Sequence, residues 1–271
     1  MRDKIQTTIA QLEQSKHIRV LYACESGSRA WGIPSPDSDY DVRFIYVHQL
    51  NWYLSLCNHK DTITVKDEES DLDMTGWDLR KTLQLMKKSN AAPLEWMQSP
   101  IVYHEAPGFL RRFQRVADTC ISPNALNYHY LSMARKFYDS CAGDKPVKLK
   151  TWFYALRTAL NARWIVENEE MPPTVFKETL SLISPTLKKE ISALIALKGT
   201  KNEDFLFEKE RSLLNLIKES IAISEAHKTK LLGSKVNMHE MDQFFQRMIP
   251  KPNKHDHRKP KKSKSFTVRS S

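Results

Sequence analysis

The stretch that decides the fold is residues 18–47, IRVLYACESGSRAWGIPSPDSDYDVRFIYV. It opens with a short run of β-branched and aromatic residues, 18–24, which is typical of a buried strand. The turn Glu25-Ser26-Gly27-Ser28 follows, and a proline-rich loop over 33–38 leads to a second apolar run at 40–47. The stretch therefore predicts two strands joined by a tight turn and a loop.

Two aspartates stand at the entry to the second strand. Asp39 and Asp41 are two positions apart, and residues i and i+2 of a strand point to the same face. Residues 71–74, DLDM, predict a third strand with alternating apolar and acidic positions, so Asp73 could add a third carboxylate. Asp71 has the same parity on that strand, and the choice between the two stays open. Three converging acids repel one another, and carboxylate oxygens are ligands that Mg²⁺ prefers.

These acids have a plain structural interpretation as well. Asp37-Ser38-Asp39 could form a turn with Asx caps. The order of a strand, Gly27-Ser28, a ten-residue gap and an Asp pair on a strand favours a site for phosphoryl transfer instead. Two metal ions about 4 Å apart would clamp the attacking and leaving oxygens. Gly27 would let the backbone approach a phosphate, and Ser28 with the following helix N-terminus would supply donors.

The rest of the chain predicts an α+β protein in three parts. Helices are expected at 3–15 and 77–88, followed by a connector with short helices over 90–123. From residue 124 the pattern becomes helical. The helices are predicted at 124–141, 147–167 and 174–183, with helical periodicity around 186–197 and 203–232. The expected division is a small mixed sheet with helices (1–123), a helical domain (124–249) and a tail (250–271).

Composition excludes several classes of protein. The chain has 271 residues, of which 41% are hydrophobic and 27% charged, so it is neither a membrane protein nor a disordered one. Its four cysteines show no CxxC pair, which argues against a thiolate zinc site or a disulfide scaffold and fits a reducing cytosol. The charged, helix-like start does not read as a signal peptide. We therefore expect a cytoplasmic protein with no membrane partner.

The positive charge is concentrated in the tail. Residues 250–271 carry eight Lys or Arg against one acid, a net +7, which leaves +3 of the total +10 for residues 1–249. Such a segment cannot bury enough apolar surface to offset its ordering entropy, so we expect a disordered basic arm. It could hold phosphates in a salt-dependent way or serve only to keep the chain soluble.

At these residues the chain resembles the DNA-polymerase-β-like nucleotidyltransferases, whose pattern is a strand, Gly-Ser, a gap of about ten residues and Asp-x-Asp on a strand. More closely, it resembles the bacterial and phage family predicted to act in RNA repair. The segments that carry this resemblance are GSRAWGIPSPDSDYDVRFIYV (27–47), DLDMTGWDLRKTLQLMKKSN (71–90), PLEWMQSP (93–100) and KLKTWFYALRTALNARWI (148–165). The resemblance implies a nucleoside triphosphate donor, two Mg²⁺ ions and metal- and triphosphate-binding roles for Gly27, Ser28, Asp39, Asp41 and Asp73.

Further basic and aromatic residues are candidates for nucleotide binding. Arg29 and Arg43 flank the acids, and Arg43 could either meet a phosphate or neutralise the aspartates. Lys150, Tyr154, Arg157 and Asn161 share one helix face, a signature in the related family that implies closure over the nucleotide, with Tyr154 stacking and Arg157 on phosphate. The alternative is a solvated face beside core residues.

The sequence thus predicts an Mg²⁺-dependent nucleotidyltransferase that transfers a nucleoside monophosphate from its triphosphate to an acceptor hydroxyl. The resemblance favours an RNA end, reached through the basic tail and the helical domain. Two alternatives are a protein adenylyltransferase of the toxin–antitoxin type and a catalytically silent nucleic-acid-binding module. No motif indicates which base is selected.

Overall fold

The computed structural model describes residues 1–227 and 236–251. In this part of the chain a five-stranded sheet has the order β3-β4-β2-β1-β5, with β2 and β4 parallel and the other neighbours antiparallel. The strands are β1 (Ile18–Glu25), β2 (Tyr40–His48), β3 (Thr62–Asp67), β4 (Leu72–Asp78) and β5 (Val102–Glu105). The α+β prediction is confirmed.

Helices cover both faces of the sheet and continue into a separate bundle. Those before residue 120 are α1 (Arg2–Lys16), α2 (Gly27–Ala30), α3 (Leu50–Tyr53), α4 (Leu79–Met86), α5 (Ala91–Met97) and α6 (Phe109–Asp118). Those after it are α7 (Pro123–Ala142), α8 (Leu149–Asn168), α9 (Phe176–Thr179), α10 (Pro185–Lys198), α11 (Arg211–His227) and α12 (Met238–Met248). Short 3₁₀ turns lie at Glu68–Ser70 and Leu180–Leu182, and β6 (Val147–Lys148) pairs with β7 (Leu206–Phe207). No helix in the described ranges is long and apolar enough to cross a bilayer.

The sheet is buried on both faces because β2 alternates its large side chains. Phe44 and Tyr46 face α1, which contributes Ile5 and Ile9 to the same core. Ile45 and Val47 face the opposite core, formed with α4, α5, α6 and α12. Successive side chains of a strand point to opposite faces, so an almost continuous apolar run such as 42–47 requires cover on both sides.

The helical bundle has its own core but is not independent of the sheet. Helices α7 and α8 pack with α10 and α11, and Ile33 from the loop before β2 is buried among them. The same two helices also place Tyr130 and Ile165 in the core behind the sheet. Residues 1–123 and 124–249 therefore share packed side chains, although the division between them remains a prediction.

Several elements differ from the sequence predictions. The edge strands β3 and β5 were not predicted, because β3 is short and polar on its exposed positions, and β5 has four residues. Strand β4 continues through Asp78, so α4 begins two residues later than predicted. Asp78 caps that helix by accepting from the Arg80 amide at 2.8 Å, as its position near the helix start suggests. The predicted disordered tail falls largely outside the described residues.

Gly76 is required by the packing between β2 and β4. It pairs with Phe44, and a Cβ at this position would lie 2.1 Å from a ring carbon of that completely buried side chain. We expect Gly76→Ala to destabilise the fold by about 1–3 kcal/mol through overpacking. Gly143→Ala is the control, because its Cβ would meet nothing nearer than 4.0 Å. Urea unfolding that shows the two variants equally stable would contradict this account.

Candidate active site

Parallel pairing of β2 and β4 brings two carboxylates together. Asp41 and Asp73 are direct register partners, each about 30% exposed. Asp39 precedes β2 and is exposed, and it lines an open cleft of about 220 Å³ together with Asp71 and Asp73. Asp71 lies before β4 in a left-handed conformation, and its carbonyl accepts from the Tyr40 amide at 2.7 Å. The geometry therefore favours Asp73 over Asp71 as the partner of Asp41.

The backbone at Gly27 lies directly against Asp41. Gly27 has φ +61°, and a Cβ there would be 2.2 Å from an Asp41 carboxylate oxygen. The neighbouring Ser26 amide donates to the Asp41 carbonyl at 2.8 Å. Ser28 is half-buried in the short turn α2, and its hydroxyl has no hydrogen bond among the residues that the structure describes. Only glycine allows the turn to approach the carboxylate this closely.

Glu25, at the end of β1, holds the start of β2 in place. Its fully buried carboxylate accepts from the Asp41 amide at 2.8 Å and from the Tyr103 hydroxyl. Burial raises the pKa of Glu25, while the hydrogen bond from Tyr103 opposes that shift. Sequence reasoning missed this residue. The available signal was a carboxylate that ends an apolar strand directly before Gly-Ser.

Arg43 supplies the positive charge between the two acids. Its guanidinium lies 2.9 Å from an Asp41 oxygen and 3.6 Å from an Asp73 oxygen, and it also donates to the Asp73 carbonyl at 3.2 Å. Burial raises the pKa of Asp41, and the charge of Arg43 acts in the opposite direction. Of the two roles considered for Arg43, the structure shows neutralisation of the aspartates.

The predicted convergence of three acids on one point is not found. In residues 1–227 and 236–251, no group of three His, Cys, Asp or Glu side chains is placed to hold a metal ion. The reason is local: Arg43 already bridges Asp41 and Asp73, while Asp39 stands outside the strand on the rim of the cleft. The donors nevertheless suit a hard cation, because Asp39 and Asp73 line one cleft, Asp41 is the register partner of Asp73, and all three supply carboxylate oxygens.

Arg29 binds the loop and not the carboxylates. Its guanidinium donates to the carbonyls of Ser38 at 2.7 Å and Asp39 at 3.1 Å, and it lies 3.9 Å over the Tyr40 ring. These contacts orient the backbone that carries Asp39. Arg29 therefore has a structural role in the loop, and its contact with the nucleotide stays a prediction.

Helix α8 brings Lys150 and Tyr154 near the carboxylates, since the charge of Asp41 influences the pKa of both side chains. Lys150 lies 2.5 Å from a Glu203 oxygen. Burial lowers the pKa of Lys150, but the hydrogen bond and charge of Glu203 outweigh this effect and the net shift is upward. The Tyr154 ring stacks on Phe137 at 5.1 Å and meets the Trp31 ring edge-on at 5.3 Å. One face of Tyr154 is thus already covered by protein.

Arg157 and Asn161, on the same helix, lie inside the protein. Arg157 is 3% exposed, pairs with Glu95 at 2.9 Å and stacks over the Trp31 ring at 4.1 Å. Asn161 is completely buried. The charge of Arg157 is paired with Glu95 within the protein, and its contact with a phosphate stays a prediction. Arg157 also holds Trp31, which directly follows the Gly27 turn.

Glu203, in the loop after α10, was also missed by sequence reasoning. Besides pairing with Lys150, its carboxylate accepts from the Ser38 hydroxyl at 2.9 Å, and its amide donates to Asp37 at 3.0 Å. Nearby, the buried Lys198 donates to Ser35 at 2.8 Å. The loop over 33–38 is therefore held by the helical part of the chain. No local sequence signal marks Glu203, because its partners lie 53 to 166 positions away in the sequence.

The chain is similar to several known proteins. The family model described as "RNA repair pathway DNA polymerase beta family" (RlaP) matches residues 1–247. The uncharacterized protein YcgL of Bacillus subtilis (strain 168) is 42% identical over 205 residues, covering 75% of this chain and 78% of that protein. A crystal structure of a nucleotidyltransferase-like protein from Exiguobacterium sibiricum 255-15 covers 85% of this chain and 75% of its own, at 12% identity and a TM-score of 0.33.

The predicted family is confirmed by the first two of these matches, which extend well beyond the Gly-Ser turn and the aspartates. The family model spans both the sheet with its carboxylates and the helical region that holds the loop. The chain therefore belongs to the RNA repair pathway DNA polymerase β family and is a polymerase-β-like nucleotidyltransferase.

Proposed function

We propose that the protein transfers a nucleoside monophosphate from its triphosphate to the hydroxyl of an RNA end, in an Mg²⁺-dependent reaction. The observation that carries this proposal is the pairing of Asp41 with Asp73 on parallel strands, with the Gly27 turn against them. The acceptor oxygen would attack the α-phosphorus, and the bond to the oxygen that bridges to the β-phosphorus would break. Pyrophosphate leaves, and Asp73 helps to take the proton from the hydroxyl.

Asp39, Asp41 and Asp73 are the residues that would hold Mg²⁺. When bound, Mg²⁺ neutralises phosphate charge and lowers the barrier to in-line displacement. Because Arg43 now compensates Asp41 and Asp73, a cation at these acids would release its guanidinium. Arg43 would then be free to contact a phosphate of the nucleotide. Positioning and charge stabilisation account for most catalysis of phosphoryl transfer, so a histidine base is not required.

The triphosphate would be bound by the turn and by α8. Gly27 and Ser28 offer backbone amides at a position where no Cβ intrudes, and the Ser28 hydroxyl has no partner among the described residues. Lys150 is held near the carboxylates by Glu203 and could exchange this carboxylate for a phosphate. Such an exchange costs little, since a partly exposed ion pair is worth about 1 kcal/mol or less.

An RNA acceptor is supported by the family's description and by the charge of residues 250–271. The test is a transfer assay with Mg²⁺ and each of the four α-labelled nucleoside triphosphates. Cellular RNA and protein are offered in parallel as acceptors, and Asp41→Asn is the inactive control. We expect label on RNA that disappears in the variant. Label on protein only would replace RNA by a protein acceptor, and label that persists in Asp41→Asn would refute the assigned site.

The identity of the third carboxylate can be tested with neighbouring residues. Asp73→Asn should reduce kcat at least about 100-fold, because it removes a charge that the reaction requires. Asp71→Asn should leave kcat within about twofold of wild type, because asparagine tolerates the left-handed conformation observed there. Steady-state kinetics on both variants, with thermal melting as a check on folding, decides between them. A large loss of kcat in Asp71→Asn, with little loss in Asp73→Asn, would identify Asp71 as the third carboxylate.

The close approach of the turn to Asp41 gives a second kinetic prediction. Gly27→Ala should lower kcat/KM about 100-fold, since a displacement near 1 Å at a reacting centre has an effect of that size. Gly108→Ala is a matched control. It imposes the same strain, with φ +66°, but its Cβ would meet nothing nearer than 3.9 Å. Equal activity in the two variants would show that the contact with Asp41 is unimportant.

The ion pair between Glu203 and Lys150 predicts an effect on nucleotide affinity. Glu203→Gln keeps an acceptor for Ser38 but removes the charge that competes with phosphate for Lys150. We expect KM for the nucleotide to fall about two- to fivefold, with kcat nearly unchanged. Asp204→Asn is the control, since Asp204 pairs with Lys148 on the surface. A rise in KM for Glu203→Gln would mean that Glu203 positions Lys150 for binding.

A further inference from the structure

A groove lined by arginines lies between α6 and α12, away from the carboxylates. The two helices pack through Phe113 and Phe244, whose ring centroids are 6.0 Å apart. Outside this contact the groove has a volume of about 300 Å³, and Arg112, Arg115 and Arg247 line it. Arg111 lies on the same turn of α6 and is exposed as well. Residues three and four apart on a helix are neighbours, so α6 presents these guanidinium groups together.

These arginines are not neutralised by the rest of the described chain. Arg112 donates to the Pro107 carbonyl at 2.7 Å and Arg247 to the Gln243 side chain at 3.4 Å, both of which are uncharged acceptors. Glu240 also lines the groove, yet no ion pair joins it to Arg112, Arg115 or Arg247. The sequence outside the described ranges, 228–235 and 252–271, contains a single acidic side chain, Asp256, so few further partners exist.

The charge of the groove continues into the basic end of the chain. Helix α12 ends at Met248, one residue after Arg247, and the segment with net charge +7 begins at Pro250. Arg19 donates to the Met248 carbonyl at 2.8 Å and joins this end of α12 to the start of β1. Residues 1–249 carry a net charge of only +3, yet within the described ranges Arg111, Arg112, Arg115 and Arg247 form no ion pair, and Arg247 lies three positions before the basic segment in the sequence.

We propose that the α6–α12 groove binds the phosphodiester backbone of a nucleic-acid strand whose end lies at the carboxylates. Arginine suits this role, because its planar guanidinium matches the geometry of phosphate oxygens and stays charged. The proposal rests on the proposed function in one respect, namely that a nucleic acid is the acceptor. The groove would anchor the strand without reading its sequence, since phosphate contacts position a strand and base contacts specify it.

Strand β1 sets the distance between the α6–α12 groove and the carboxylates. Arg19 and Glu25 mark opposite ends of β1, about 20 Å apart at about 3.3 Å per residue. Arg19 contacts the end of α12, and Glu25 contacts the Asp41 amide. At about 3.4 Å per nucleotide in a stacked strand, about six nucleotides would connect the two places. An acceptor strand shorter than about six nucleotides, with its end at the carboxylates, would therefore not reach the groove.

The test measures binding directly, by fluorescence anisotropy of fluorescein-labelled RNAs of 24 and 4 nucleotides across a range of KCl concentrations. The variant is Arg112→Gln/Arg115→Gln in the full chain. The control is Arg135→Gln/Arg163→Gln, which removes the same charge from arginines paired with Glu225 and Glu167. The side chains of Arg112, Arg115 and Arg135 are exposed and that of Arg163 is partly buried, so thermal melting of both double variants verifies that they fold.

We expect the variant to weaken binding of the 24-nucleotide RNA and to reduce the slope of log K against log[KCl] by about 1.4, or about 0.7 for each lost phosphate contact. The control double variant should retain the wild-type slope, and the 4-nucleotide RNA should bind all three proteins alike. Equal losses in both double variants, or no loss in either, would overturn the proposal.

The binding assay separates this proposal from the proposed function. Transfer of label to RNA combined with unchanged binding by Arg112→Gln/Arg115→Gln would refute the groove and leave the enzymatic proposal intact. Weakened binding by this variant, with no transfer to RNA in any assay, would support the groove as a nucleic-acid surface and refute RNA as the acceptor.

Discussion

Two like charges held side by side are the constraint on which this structure depends. Asp41 and Asp73 occupy paired positions of parallel strands, so their repulsion cannot be relieved by changing the register without turning the apolar residues of β2 and β4 to the wrong faces. Arg43, which lies in β2 with Asp41, compensates both charges. Glu25 fixes the backbone of Asp41 by accepting a hydrogen bond from its amide. The site is thus assembled on strands, with the Arg43 guanidinium between its two carboxylates.

The helical part of the chain serves this site as well as its own core. Glu203 holds the loop before β2 and the side chain of Lys150, while Arg157 pairs with Glu95 and stacks on Trp31, next to the Gly27 turn. Removing one partner of the Arg157–Glu95 pair would leave a buried charge without a partner, which is costly. The face of α8 that runs from Lys150 to Asn161 therefore has two functions along its length: its first half borders the site, and its second half anchors the turn.

Much of the site could be predicted because its members are close in sequence. The turn at Gly27, the pair Asp39 and Asp41, and the strand that carries Asp73 all follow local patterns of apolar runs, glycine and alternating acids. Arg29 and Arg157 show the limit of this reasoning. Both were predicted to bind the nucleotide. In the structure Arg29 binds loop carbonyls and Arg157 binds a buried carboxylate, because the partner of a long charged side chain depends on which element packs against it.

The sequence by itself determined the α+β class, the order of strand, turn, loop and strand, the family and the position of Asp39 and Asp41 at the start of β2, because strand periodicity and turn chemistry are properties of neighbouring residues. Only the tertiary structure decided that Asp73 and not Asp71 stands beside Asp41, that Arg43 bridges them and that Glu203 reaches back to Ser38. These contacts join residues that are tens to more than a hundred positions apart. Their geometry depends on strand register and on helix packing, which local patterns do not specify.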